Sequence, residues 1–293
     1  MPGAAELRTL RRRIRSVKST QKITRAMELI AASRIAKARH AVEAARPYAV
    51  GITRVIRDLA AESGLSHHPV LAQRDQITEV AVIVVASDRG LAGAYNTNVL
   101  RRAERIIAEE EAEGHTVHLH AVGKKVDSYF RYRDRQPVST WEGVTDKPTY
   151  ADAAKIGRHL IEEFAAGGLD RVWLAYTDFR SALTQIPNAV RILPVDPRRF
   201  EGGEGIPPEF LVEPAPEQLL AELIPRYVEH QIYAAMLESA ASEHAARQRA
   251  MKAATDNAGE VIDLLTIQAN QARQAAITTE ISEIVGGAEA LEK

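Results

Sequence analysis

The chain has 293 residues, 45% of them hydrophobic and 26% charged, with a formal net charge of -1 and no cysteine. The missing thiol excludes disulfides, thiol catalysis and cysteine metal sites, and fits a reducing compartment. No run of 18 apolar residues is available to cross a membrane, and no apolar secretory h-region opens the chain.

Aromatics make up only 5% of the residues, so much of the packing is expected from Ala, Leu and Ile. Charge is unevenly spread. Residues 1–60 carry 14 Lys and Arg against 4 Asp and Glu, whereas residues 213–293 carry 6 against 13. A basic segment alone points to nucleic acid or an anionic membrane. Basic and acidic segments at opposite ends suggest instead that the ends pair, with cross-helix ion pairs setting their orientation. Residues 7–27 hold no acid, as transit peptides do, but the helical pattern continues past residue 50 without a cleavage-like break.

Residues 4–61 predict one helix. Leu7, Leu10, Ile14 and Val17 step by three and four, and the stepping resumes from Ala31 through Ile35, Ala38, Val42, Ala45, Ala49, Ile52, Ile56 and Leu59. That is the 3.5-residue seam of a coiled coil. Lys18–Lys22 interrupts it, either as a register slip or where the partner is not apolar. Pro47 is expected to bend or loosen the helix. Some 58 helical residues span roughly 85 Å, too long for a compact domain of this size.

Between residues 79 and 212 the rhythm changes. Val80–Ala86 is an unbroken apolar run, as for a strand buried on both faces. Val117–Val122, Arg171–Thr177 and Val190–Val195 are further strands, and Asn96–Glu111, Lys124–Arg133 and Tyr150–Ala166 are helices. Strands alternating with helices predict a parallel sheet covered by helices. Pro194–Pro216, with six prolines and three glycines, is a loop-rich link. Residues 217–286 then predict a second long helix, opened by Leu219, Leu220, Leu223, Val228, Ile232, Ala235 and Met236. It closes with Val261, Leu264, Leu265, Ile277, Ile281 and Ile284. Pro225 is expected to kink its start and Gly286-Gly287 to end it. Alanine fills 10 of 25 positions in 234–258 and 9 of 24 in 26–49, which allows close approach of the two helices. Leaving one globular body, they would run antiparallel.

Few motifs carry chemistry. At the C-terminal end of the first strand, where a doubly wound domain binds ligands, Ser87–Asn96 has two glycines. It has neither the dinucleotide nor the P-loop pattern. A tight turn with a cap at Asn96 is the reading adopted. His118 and His120 share one strand face without an evident third metal ligand, and are placed on a polar sheet face. His67-His68 are read as surface. No nucleophile elbow or zinc-protease motif occurs. Two polar stretches, Lys18–Arg25 and Asn270–Thr279, would lie near one another in an antiparallel pair. They are either solvated faces or a tip embedded in another protein.

Longer motifs resemble a known family. Ser19–Ser33 followed by Arg46-Pro-Tyr48, Ser87–Leu91 through Asn96–Asn98, and Glu243–Arg247, Ala250–Asn257 and Ala272–Thr278 are similar, in order, to the γ subunit of the F-type ATP synthase, bacterial type. The family's turn usually has Cys and Gly where this chain has Ala92 and Ala94. Chloroplast relatives carry a regulatory cysteine pair that this chain lacks.

The resemblance implies an α/β fold class: a long antiparallel coiled coil from residues 1–61 and 213–293, plus a Rossmann-like α/β domain over 75–212 with a mostly parallel sheet. It implies a non-catalytic central-stalk rotor without cofactor, metal or nucleic-acid partner. Such a rotor is peripheral to the cytoplasmic face of the bacterial plasma membrane without inserting into it. Its implied partners are the α and β subunits, the ε subunit and the c ring. By resemblance, Met27, Arg273, Gln274 and Thr278 would contact β, and Phe210 to Glu213 the c ring. From the residues alone, an enzyme using the α/β domain on a nucleotide and a basic coiled-coil scaffold stay open.

Overall fold

The computed structural model describes residues 2–63, 69–71, 74, 76–202 and 212–291. The chain divides into two compact units, Met1–Ala31 with Gln248–Lys293 and Ala32–Arg247. The division falls inside two long helices, α1 (Pro2–Ser63) and α5 (Pro216–Leu291). Each runs as one element through its proline, Pro47 or Pro225. The expected stop at Gly286-Gly287 is not used, because α5 continues to Leu291. A glycine in a helix costs about 1 kcal/mol but ends it only where the backbone turns left-handed.

In the larger unit, five strands form one sheet in the order β3-β2-β1-β4-β5. They are β1 (Glu79–Val85), β2 (Thr116–Val122), β3 (Ser139–Trp141), β4 (Arg171–Phe179) and β5 (Gln185–Leu193). The first four are parallel, with Val82 opposite both Leu119 and Trp173. Strand β5 pairs antiparallel with β4. Direction in that hairpin was not readable from apolar runs, and neither was β3, whose three residues carry no pattern. Pro187 sits in β5, where an edge strand tolerates the missing donor.

Alternation along β1 builds two cores. Val80, Val82 and Val84 face α2 (Tyr95–Ala112) and α3 (Lys124–Arg131), meeting Val99, Ile106, Val126 and Phe130. Ala81, Ile83 and Val85 face the other side, with α4 (Tyr150–Ala165), Ile52, Ile56 and Leu59 of α1, and Leu220, Ile224, Val228 and Ile232 of α5. Helix α4 starts on a capping box, Thr149 with Asp152. Further along, Val42 packs against Leu237 and Ala241 beside Ala38, Ala41 and Ala45.

The smaller unit is an antiparallel helix pair: Leu10 packs on Leu265 and Ala269, while Thr24 meets Thr255. The α1 seam runs Leu7, Leu10, Ile14, Val17, Gln21, Thr24, Glu28 and Ala31, each buried or half-buried. The 3-4 stepping therefore never slips at Lys18–Lys22; Gln21 and Thr24 simply fill seam positions. Opposite them stand Thr255, whose hydroxyl lies 2.7 Å from the Thr24 hydroxyl, and Gly259, where a Cβ would come within 3.3 Å of Gln21 Nε2.

The α5 seam corrects the sequence reading more sharply. Met251, Thr255, Ala258, Ile262, Leu265, Ala269, Ala272 and Ala276 face inward. Of the large residues expected to close it, only Leu265 is buried, while Val261, Leu264, Ile277, Ile281 and Ile284 are exposed. The ion pairs described along the two helices run within a helix, as Arg25–Glu28, Arg39–Glu43 and Glu243–Arg247, to a loop, as Arg34–Asp146, or to α4, as Glu229–Arg158. Small seam residues bring the backbones together.

Candidate functional site

The C-terminal end of β1, the place for a nucleotide in such a sheet, is filled by the chain itself. Asp88 accepts from the Lys124 backbone N–H at 3.1 Å and from the Thr145 hydroxyl at 2.8 Å. Burial alone would raise its carboxyl, but hydrogen bonds from Gly143, Thr145 and Lys124 hold it below the ordinary value. The anion position at the start of α3 is thus taken by an internal carboxylate. Gly123, at φ 101°, brings the backbone so close that a Cβ would lie 2.3 Å from the Ala86 carbonyl oxygen. Asn96 does not cap α2, whose N-cap is Ala94. Its side-chain oxygen instead accepts from the Ser87 backbone N–H at 3.0 Å and the Ser87 hydroxyl at 2.9 Å. The turn itself places Leu91 and Gly93 at positive φ.

Each long helix anchors on a loop at this end of the sheet. Arg247 of α5 donates to the Gly90 carbonyl at 3.2 Å and pairs with Glu243 at 2.6 Å. Arg34 of α1 grips Asp146. His244 is 2% exposed, and burial lowers its pKa to about 4. Burial pushes Glu243 up to about 7, against the pull of Arg247. Asp146, Glu243 and His244 converge closely enough to hold a cation, but two guanidinium groups already occupy that role. Glu110, Glu113 and His115 converge likewise, and there Arg171 and the Trp173 indole bond Glu110. What the junction can do is mechanical: it ties two helices to two loops.

The histidine pair splits. His118 pairs with Glu79 at 2.6 Å, whereas His120 is wholly buried, not on a polar face. Its Nδ1 lies 2.7 Å from the Ser139 hydroxyl, and its ring stacks near Trp141. Burial, with His159 and His118 nearby, lowers its pKa to about 4.

The residues expected to touch a partner lie mostly in the smaller unit. Met27 is half-buried, and Arg273, Gln274 and Thr278 are exposed, with the Thr278 hydroxyl donating to the Gln274 carbonyl at 3.0 Å. Ile267, Ile277 and Ile281 are each about half exposed, and Ile284 is 72% exposed. Large apolar side chains thus lie on the outside of the helix pair. On α1 of the same unit, Arg8, Arg11, Arg12, Arg15 and Lys18 form an exposed basic stripe with no ion pair among the described residues. Glu213 is exposed; Phe210, like His67 and His68, lies outside the described residues.

A family model described as ATP synthase matches residues 6–291. The chain is 53% identical to the ATP synthase gamma chain of Frankia casuarinae over 98% of both chains. Identity to that of Thermobifida fusca is 50%, over 98% of this chain and 97% of the relative. This chain belongs to the ATP synthase γ-chain family.

Solved structures agree on the fold. The match to a chain of the Euglena gracilis mitochondrial ATP synthase rotor has a TM-score of 0.62 at 18% identity, covering 94% of this chain and 99% of that one. A chain of the Tetrahymena thermophila central stalk and c-ring assembly gives 0.60 at 24%, covering 79% and 99%. In this γ chain Glu243–Arg247 is a sequence motif whose role is not legible from the motif alone. Its signal was two charged residues one turn apart on an alanine-rich helix face, a place where charge needs a reason.

Proposed function

We propose that this chain is the central-stalk rotor of a bacterial F-type ATP synthase. It is a non-catalytic subunit that couples proton-driven rotation of the membrane c ring to ATP synthesis at the β subunits. The observation that carries this reading is the inverted helix pair: small residues inside, large apolar and basic residues outside. A pair built so has little core of its own and a surface made for an enclosing sleeve. In this reading the chain ends, 1–61 and 213–293, form the coiled coil, and its stretches 2–31 and 248–291 enter the α and β ring. The domain over 75–212 is the foot, beside ε and the c ring, at the cytoplasmic face of the membrane.

Rotation works because an asymmetric shaft contacts each β subunit differently at each angle, shifting its equilibrium between nucleotide-binding states. Met27, Arg273, Gln274 and Thr278 are the contacts to β in this account, and Phe210 to Glu213 those to the c ring. The test is a pull-down with α, β and ε, followed by crosslinking; finding no association with an α/β head sinks the proposal. Met27→Lys places a charge beside β and is expected to impair ATP-driven proton pumping more than it lowers the melting temperature. Unchanged pumping refutes the Met27 assignment.

A further inference from the structure

One groove of the larger unit has no part in the rotor reading. It encloses about 930 Å³ between α1, α4 and α5. Tyr48, Tyr150, Tyr233 and His230 supply its rings: Tyr48 and His230 lie 4.8 Å apart between centroids, and Tyr150 and Tyr233 meet edge to face at 5.9 Å. Glu229 lines the same groove with a side chain only 10% exposed. Its Oε2 accepts from the Tyr150 hydroxyl at 2.7 Å, while Oε1 pairs with the largely exposed Arg158 guanidinium at 3.7 Å, longer than a hydrogen bond. Gly157 makes this possible, since a Cβ there would press on Glu229 Cγ at 3.0 Å.

A second polar group is left over. His230 is 5% exposed and its Nε2 is buried without a hydrogen-bond partner. Burial lowers its pKa, so the ring stays neutral near pH 7. A buried polar atom without a partner costs free energy unless something bonds it. The arginines differ in kind: Arg158 and Arg226 have side chains 63% and 58% exposed, so they sit toward solvent. Tyr48 and Tyr150 are 46% and 39% exposed and form the rim, with one buried carboxylate and one neutral imidazole behind them, and that set attracts a cation on an apolar body.

We infer that this groove binds a small aromatic amine, its ring among Tyr48, Tyr150 and Tyr233 and its ammonium donating to Glu229, with His230 Nε2 bonding a second polar atom of the ligand. The inference stands apart from the rotor reading, because it needs no contact with β.

Saturation-transfer NMR on the purified complex containing this chain tests it, with tryptamine, indole and indole-3-propionate as probes. Tryptamine is expected to bind best and the anion worst. Glu229→Gln should weaken tryptamine by roughly fivefold, the factor of one cation contact, and leave indole unchanged. Because Glu229 also packs on Gly157, Tyr48→Leu serves as the independent variant and should weaken tryptamine and indole together. The idea is overturned if indole-3-propionate binds as well as tryptamine, if tryptamine shows no transfer, or if neither variant changes it.

Discussion

Residues 32–63 and 216–247 bury isoleucine and leucine against a sheet, while residues 2–31 and 248–291 of the same two helices turn alanine, threonine and glutamine toward each other. In the first setting Ile56, Ile224 and Ile232 are fully buried. In the second, Leu264, Ile277 and Ile284 stand in water. Identical secondary structure therefore has two sources of stability. One region carries its own core; the other is a pair closed by small residues, with large apolar side chains on its outside.

The contrast can be broken by cavities. Ile224→Ala should cost the larger unit about 3–4 kcal/mol, since it empties a packed site. Leu265→Ala, in a seam open to solvent, should cost the helix pair about 1–2 kcal/mol. Denaturant unfolding followed by circular dichroism checks both, and equal costs would erase the distinction.

Acid should act on the larger unit through its buried histidines. The folded pKa of His244 is lowered to about 4 from 6.5 by burial. Its contribution is thus present above pH 6.5 and lost as pH falls toward 4, up to about 3 kcal/mol. His120, also lowered to about 4, adds a loss of the same sign. Glu243 acts oppositely: raised to about 7, it contributes below pH 4.5 and loses that contribution as pH rises through 7. Melting curves of wild type and His244→Gln between pH 7 and 4 should converge at the acid end. Parallel curves would contradict the burial argument.

The smallest effect compares glycines. Gly157→Ala would press a Cβ on the Glu229 backbone at 3.3 Å and side chain at 3.0 Å, and should cost about 1–2 kcal/mol. Gly259→Ala meets only the flexible end of Gln21 at 3.3 Å. The gain in helix propensity should offset that contact, leaving a change within about 0.5 kcal/mol. Paired thermal melts read both, and a costly Gly259→Ala would show that the seam is as tightly packed as the core.

Much of this was legible in the chain. The 3-4 stepping located both long helices, and the run Val80–Ala86 located the central strand, because period reports which face is buried. Lys18–Lys22, which holds the seam residue Gln21, reads as an interruption since the stepping rule counts apolar residues only. The inward face of α5 was misread for a related reason: Ile277 and Ile281 are large and apolar, and nothing local says that Ala269 and Ala272 lie inside instead. Likewise Asn96 has the chemistry of a cap, and only the folded turn reveals that Ser87 claims it. Burial of His120 depends on Ser139–Trp141, a strand too short to show a period. The motifs at 243–247 were visible, but their target, the Gly90 carbonyl, lies far away in sequence.

Amide hydrogen exchange on the full chain, alone and assembled with α, β and ε, tests most directly whether the helix pair depends on a partner. The account predicts fast exchange along residues 2–31 and 251–285 in the free chain, strong protection there on assembly, and little change in β1, β2 and β4. Equal protection of those helical segments in the free and assembled states would contradict it.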